Sequence, residues 1–152
     1  MSAEQSKTVA RRFIEELWNE RRLELADELF APDGVTHQLR SGAADVSAPR
    51  TPDLIKRHVA DWLAAFPDLR FTIEQMIAEA DTVVTRCTMH GTHTGAWLGV
   101  APTGKQVSLR MVVIHRIAAG QIAEDWVLVE SLGLFQQLGL VPPREELLPA
   151  TK

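Results

Sequence analysis

The stretch GQIAEDWVLVE, residues 120–130, sets two carboxylates side by side among residues that otherwise suit a buried strand. Successive strand residues point to opposite faces, so Glu124 and Asp125 must part. On one face stand Ile122, Glu124, Trp126, Leu128 and Glu130, and on the other Ala123, Asp125, Val127 and Val129. Asp125 is the lone polar residue of its face. The stretch before it divides in the same way: His115 is the lone polar residue among Val107, Leu109, Met111, Val113 and Ile117. An acid and an imidazole on one apolar surface suggest proton chemistry. Burial disfavours the charged form of a carboxyl group, and a group tuned in this way can take up and return a proton near neutral pH. The same residues also fit a structural acid that only bonds the backbone or His115.

The turn between the two strands decides whether these faces coincide. It reads IAAGQ, Ile117 to Gln121. A two-residue primed turn would require positive φ at Ala119, so a three-residue loop Ala118-Ala119-Gly120 is expected. Ile117 then opposes Gln121, Asp125 opposes Val113, and His115 lies diagonal to Asp125 on the same face. Asp125 is therefore expected inside, and Glu124 at the rim or outside.

Other chemical signals are weaker. GVAPTGKQ nearly matches a phosphate-binding loop, but it ends in Gln106 and leads into a strand, with no helix to receive a phosphate. His90 and His93 lie three apart in a strand and face opposite ways, so no metal site is expected. His58 reads as a packing histidine and Cys87 as a thiol without an activating base. There is neither a nucleophile elbow nor a dinucleotide fingerprint.

Helices and strands follow from periodicity. Ser2 with Gln5 forms a capping-box pattern, and Val9, Phe13, Ile14, Leu17 and Trp18 build the stripe of a first helix. A second helix is predicted over Leu23–Phe30, stopped by Pro32 and Gly34. A short strand VTHQL and a loop over 40–50 come next. Thr51-Pro52 starts a third helix that ends at Phe66. From Leu69 the period becomes two, giving four antiparallel strands, and a last helix ends at Gly139. Helices, then strands, then a helix argue an α+β fold, a single domain over 1–152, with helices packed on one face of a curved sheet. The chain has 152 residues, net charge -4 and one cysteine. No basic face suggests nucleic acid. No apolar run is long enough for a membrane span, and the N-terminus lacks a signal peptide's apolar region. These features predict a soluble cytoplasmic protein. Apolar Val112, Ile114 and Trp126 on the convex face predict a homodimer.

LFAPDGVTH, AFPDLRFTIE, GTHTGAWLGVAPTGKQV and HRIAAGQIAEDWVLVESLGLFQQLG together carry a resemblance across nearly the whole chain. The sequence resembles the SnoaL-like polyketide cyclases of the nuclear-transport-factor-2-like superfamily. The resemblance implies an α+β cone whose sheet and third helix enclose a deep apolar pocket. It implies a pocket aspartate, at Asp125, that works as acid and base without metal or cofactor. It further implies histidines at His37 and His93 and a lining that includes His115, Met111 and Trp62. Many relatives carry histidine where Asp125 stands. The activity it implies is intramolecular aldol closure of a small apolar polyketide-like ester or ketone, with a histidine bonding the enolate oxygen. A hydroxylase on the same scaffold and a non-catalytic small-molecule binder are the alternatives.

Overall fold

The computed structural model describes residues 1–39 and 46–150. Helix α1 (Ala3–Arg12) carries the capping box: Gln5 N donates to Ser2 Oγ at 3.2 Å and Ser2 N donates to Gln5 Oε1 at 2.8 Å. The helix widens into a π-helical stretch, Phe13–Asn19, in which Phe13, Ile14, Leu17 and Trp18 are all buried. Those two apolar pairs repeat every four residues, and a turn wider than 3.6 residues keeps both on one side.

The second helix is shorter than expected. A 3-10 turn, Leu23–Leu25, leads into α2 (Ala26–Leu29). Strand β1 (Phe30–Gln38) already begins at Phe30 and passes through Pro32 and Gly34, which the sequence presents as a helix stop. The ladder slips between Phe30 and Val35, and this irregularity accommodates the proline. Part of the predicted loop is also structured: Val46–Pro49 forms an edge strand, β2, antiparallel to β1. Residues 40–45 of that loop lie outside the described residues. Helix α3 (Pro52–Ala65) starts as expected, with Leu54 N donating to Thr51 Oγ1 at 3.3 Å.

Strands β3 (Arg70–Glu79), β4 (Thr82–Thr92), β5 (Gln106–Ala118) and β6 (Gln121–Val129) form the expected antiparallel meander. The sheet order is β2-β1-β6-β5-β4-β3, and the curled sheet does not close. The β1–β6 pair is parallel, which the sequence does not reveal. A parallel pair requires a long crossover, here all of α3 and β3–β5. Helices α4 (Ser131–Gln137) and α5 (Arg144–Leu147) follow, the second unforeseen. Phe13, Leu17, Trp18, Ile55, Val59 and Phe66 pack against Phe71, Val83, Met89, Leu109 and Ile117 on the sheet's inner face. No helix among the described residues is long and apolar enough to cross a membrane.

The β5–β6 hairpin differs from its expected form. Ala118 pairs with Gln121, so the turn has two residues, with φ +50° at Ala119 and +77° at Gly120. This is the primed turn that the sequence disfavours, and its twist suits the flanking strands. The register then shifts again: Ile117 pairs with Ile122 and Arg116 with Glu124, leaving Ala123 bulged. The bulge lets both Ile122 and Asp125 face inward, although their spacing is odd. His115 therefore stands directly opposite Asp125, not diagonal to it.

Candidate functional site

Asp125 lies mid-strand on β6, between Thr36 of β1 and His115 of β5 in the ladder. Its side chain is 1% exposed. Polar side chains besides His115 reach the acid. Thr36 Oγ1 donates to Asp125 Oδ1 at 2.5 Å and Arg50 Nε donates to Oδ2 at 3.1 Å. Gln38 Nε2 donates in turn to Thr36 Oγ1 at 2.9 Å, so a short relay of bonds holds the acid's orientation.

Arg50 reaches this point from the sheet edge. It follows β2 directly, and its backbone N–H donates to Gly34 O at 2.7 Å. A Cβ at position 34 would sit 2.8 Å from Arg50 O, so glycine is needed for the two strands to approach so closely. The Arg50 side chain is 12% exposed. Sequence reasoning missed Arg50 and Thr36. The available signal was the acid itself: a buried carboxylate requires a cation or hydrogen-bond donors, and an arginine just before a helix cap can supply one.

His115 is 1% exposed, and neither ring nitrogen has a hydrogen-bond partner among the described residues. Phe13 packs edge-on against the ring at 5.7 Å. Burial lowers the His115 pKa to about 4, against an upward pull from Asp125, so the imidazole is neutral at physiological pH. His58, on α3, behaves alike: burial and then the Arg50 charge lower its pKa to about 4. It packs against Trp18 and Trp62 as a packing histidine would, yet it also feels both Arg50 and Asp125. The cluster thus holds one arginine, one aspartate and two neutral imidazoles.

The other expected pocket residues are dispersed. His37 is not beside Asp125. It points to the outer face, because it alternates with inward-facing Thr36. There its ring stacks on Trp126 at 5.0 Å, and its Nε2 lies 2.8 Å from Glu124 Oε1. Arg116 Nε donates to the other Glu124 oxygen at 2.9 Å. These two hydrogen bonds, from His37 first, hold the Glu124 carboxyl below its ordinary pKa. His93 is fully buried at the far end of β4. Its Nδ1 accepts from Thr103 N at 3.2 Å, and Nε2 has no partner among the described residues. Trp62 packs on Phe66 and on Trp97 of the glycine-rich loop, at 5.8 and 5.5 Å. Met111 lies on the inner side of β5, paired with Cys87 and Val129.

The expected deep pocket does not open at the acid, since Asp125 is 0% exposed as a residue. A cavity of about 830 Å³ lies instead against the middle strands, lined largely by outward-facing groups that include Arg86, Thr88, Arg110, Leu128 and Glu130. Of the Arg50–Asp125 pair, Arg50 is the partly exposed member.

Comparison with known proteins agrees with this architecture. No curated protein sequence matches the chain. Among solved structures, AclR, a candidate hydroxylase from Streptomyces galilaeus, shares 29% identity over 96% of this chain and 89% of its own, with a TM-score of 0.80. IdmH, a candidate polyketide cyclase from Streptomyces antibioticus, shares 31% identity over 89% of this chain and 99% of its own, with a TM-score of 0.76. A candidate polyketide cyclase from Acidithiobacillus ferrooxidans shares 28% identity over 91% of this chain and 98% of its own, with a TM-score of 0.75. The α+β cone with helices inside a curled, unclosed sheet is the fold of these neighbours. The profile of the SnoaL-like polyketide cyclase family matches residues 8–138, which takes in every member of the Asp125 cluster, and the chain belongs to that family.

Proposed function

We propose that the protein is a polyketide cyclase that closes a ring by intramolecular aldol reaction, with Asp125 as acid and base. The observation that carries this reading is the buried Asp125 facing, across one ladder step, the neutral His115, whose ring nitrogens have no hydrogen-bond partner among the described residues. Asp125 removes a proton from a carbon between two carbonyls. The resulting carbanion attacks a ketone of the same chain, and the proton returns to the new alkoxide. His115, uncharged, offers its N–H to the enolate oxygen as charge develops there. Its ring makes no protein hydrogen bond among the described residues that a ligand would first have to break. The apolar walls, with Trp62 and Met111 at their partly exposed edge, hold the chain in a folded conformer. A ligand enters beside Arg50, whose side chain is 12% exposed against 1% for Asp125. His37 has no part in this reading, because it lies on the other face, and His93 stands apart from Asp125, at the far end of β4 against Thr103.

We propose further that the chain is a single domain that works as a cytoplasmic homodimer. Leu128 is 50% exposed on the outer face, beside partly exposed Val112, Ile114 and Trp126. Apolar area of this kind is commonly covered by a second subunit. A stable monomer at micromolar concentration in sedimentation would refute the dimer.

The test of the activity is incubation with an open-chain poly-β-keto ester. A ring product of unchanged mass, or one lighter by a single water after dehydration, supports the cyclase. Recovery of unchanged substrate from a range of chain lengths refutes it. The likeness to AclR favours a second reading, a hydroxylase, which a product heavier by one oxygen would support.

A further inference from the structure

The contact between Arg50 and Asp125 is a single hydrogen bond from Nε, at 3.1 Å. An arginine can pair with a carboxylate through two parallel bonds, and that fork is its strongest arrangement. Here the second carboxylate oxygen is already occupied by Thr36, and neither terminal nitrogen of Arg50 makes a hydrogen bond among the described residues. Among the described residues the guanidinium therefore keeps four N–H donors for another acceptor. It cannot shed its charge, because arginine stays protonated in proteins. It is also the most exposed member of the pair, at 12% against 1% for Asp125. The imidazoles of His58 and His115 are uncharged near neutral pH, so Arg50 is the positive charge that an entering molecule meets.

We propose that Arg50 is an anion receptor whose guanidinium leaves Asp125 for an anionic oxygen of the ligand, a carboxylate or the enolate of a 1,3-dicarbonyl unit other than the one Asp125 deprotonates, and so uncovers the Asp125 carboxylate. This rests on reading the cluster as the ligand site. It extends that reading by naming the class of ligand and the event that frees the base. Thr36, backed by Gln38, keeps Asp125 oriented when Arg50 departs. Gly34 holds the Arg50 backbone in place, so only the side chain needs to move.

Titration calorimetry with two matched pairs of probes tests the proposal without any turnover. One pair is 2-naphthoate and its methyl ester. The other is 5,5-dimethylcyclohexane-1,3-dione, an enolate at neutral pH, and its enol methyl ether. The wild type is expected to prefer the anion in at least one pair by about tenfold or more, the usual worth of a charged hydrogen bond. The preferred pair identifies the source of the anionic oxygen. Arg50→Gln should abolish the preference, and Arg50→Lys should keep part of it. Asp125→Asn should widen it, because the internal competitor has lost its charge.

These opposite directions separate the proposal from a structural ion pair, in which breaking either partner has the same effect. Melting curves confirm that each variant folds. If Arg50→Gln does not fold, the comparison of Asp125→Asn with wild type decides. Failure to bind any probe, equal affinities within both pairs, or a preference that Asp125→Asn narrows would overturn the proposal. Ring closure that fails while the anion preference persists would remove the cyclase reading alone.

Discussion

The two faces of the sheet each gather an acid, an arginine and an imidazole around adjacent residues of β6. Inside are Asp125, Arg50 and His115, and outside are Glu124, Arg116 and His37. Outside, the acid is 25% exposed and bonded on both oxygens, by His37 and by Arg116, while His37 stacks on Trp126. This is a closed arrangement in which each group satisfies the others. Inside, the acid is 1% exposed, the arginine holds it by one bond, and the imidazole bonds nothing among the described residues. Donors and acceptors left unused where water cannot reach them are costly to the fold, and a ligand can use them. Composition does not distinguish the two clusters; their burial and incomplete bonding do.

The widest separation is expected in turnover. Asp125→Asn should lower the ring-closure rate by roughly 10²–10⁴-fold, the range for a positioned acid–base group, while Glu124→Gln should leave it within about twofold. Equal losses in the two variants, measured per folded molecule, would break the distinction between the faces. Stability comes next. Asp125→Leu strands the buried Arg50 charge and should cost about 3–5 kcal/mol, whereas Glu124→Leu should cost about 1 kcal/mol or less. Chemical denaturation of both variants checks this. The same pairing means that Asp125→Asn should not stabilise the protein, although an acid among purely apolar neighbours would predict that it does.

The pH dependence sharpens the comparison further. His115 is held neutral in the fold, with a pKa near 4, while the unfolded chain has an ordinary histidine pKa of about 6.5. Between those values the unfolded state binds more protons, so stability is full above about pH 6.5 and falls as the pH drops towards 4. The loss is on the order of 3 kcal/mol for His115, and His58, lowered to about 4 as well, adds to it, so His115→Gln should reduce the slope in that window without abolishing it. Glu124 acts in a lower window. Its folded pKa lies below the ordinary carboxyl value, so its contribution is lost only as pH falls below about 4.5. Melting temperatures recorded from pH 8 to 3 should show the two losses in that order. The smallest effect belongs to the turn that aligns both faces. Ala119 holds φ +50°, which costs a residue with a Cβ, so Ala119→Gly should stabilise the hairpin by up to about 1 kcal/mol. A destabilised Ala119→Gly would argue against the two-residue turn and the register built on it.

Much of this architecture can be read along the chain. The capping box at Ser2, the Thr51-Pro52 helix start, the two-residue period from Leu69 and the inward turn of Asp125 and His115 are all local. Each depends on how a side chain projects from its own helix or strand. The β5–β6 register could not be read in the same way. Strand periodicity with a three-residue loop puts both residues on one face, whereas the fold does so through a two-residue turn and a bulge at Ala123. The two shifts together preserve the face and move the pairing. What meets Asp125 was settled by tertiary structure alone. Thr36 is 89 residues away and Arg50 is 75, and both arrive because β1 lies parallel to β6 with β2 at its edge. The same pairing sends His37 outward to Trp126. Local periodicity fixes which way a residue points, but strand order is chosen by how helices and strands distant in sequence bury their shared apolar surface, and no window of neighbouring residues contains that choice.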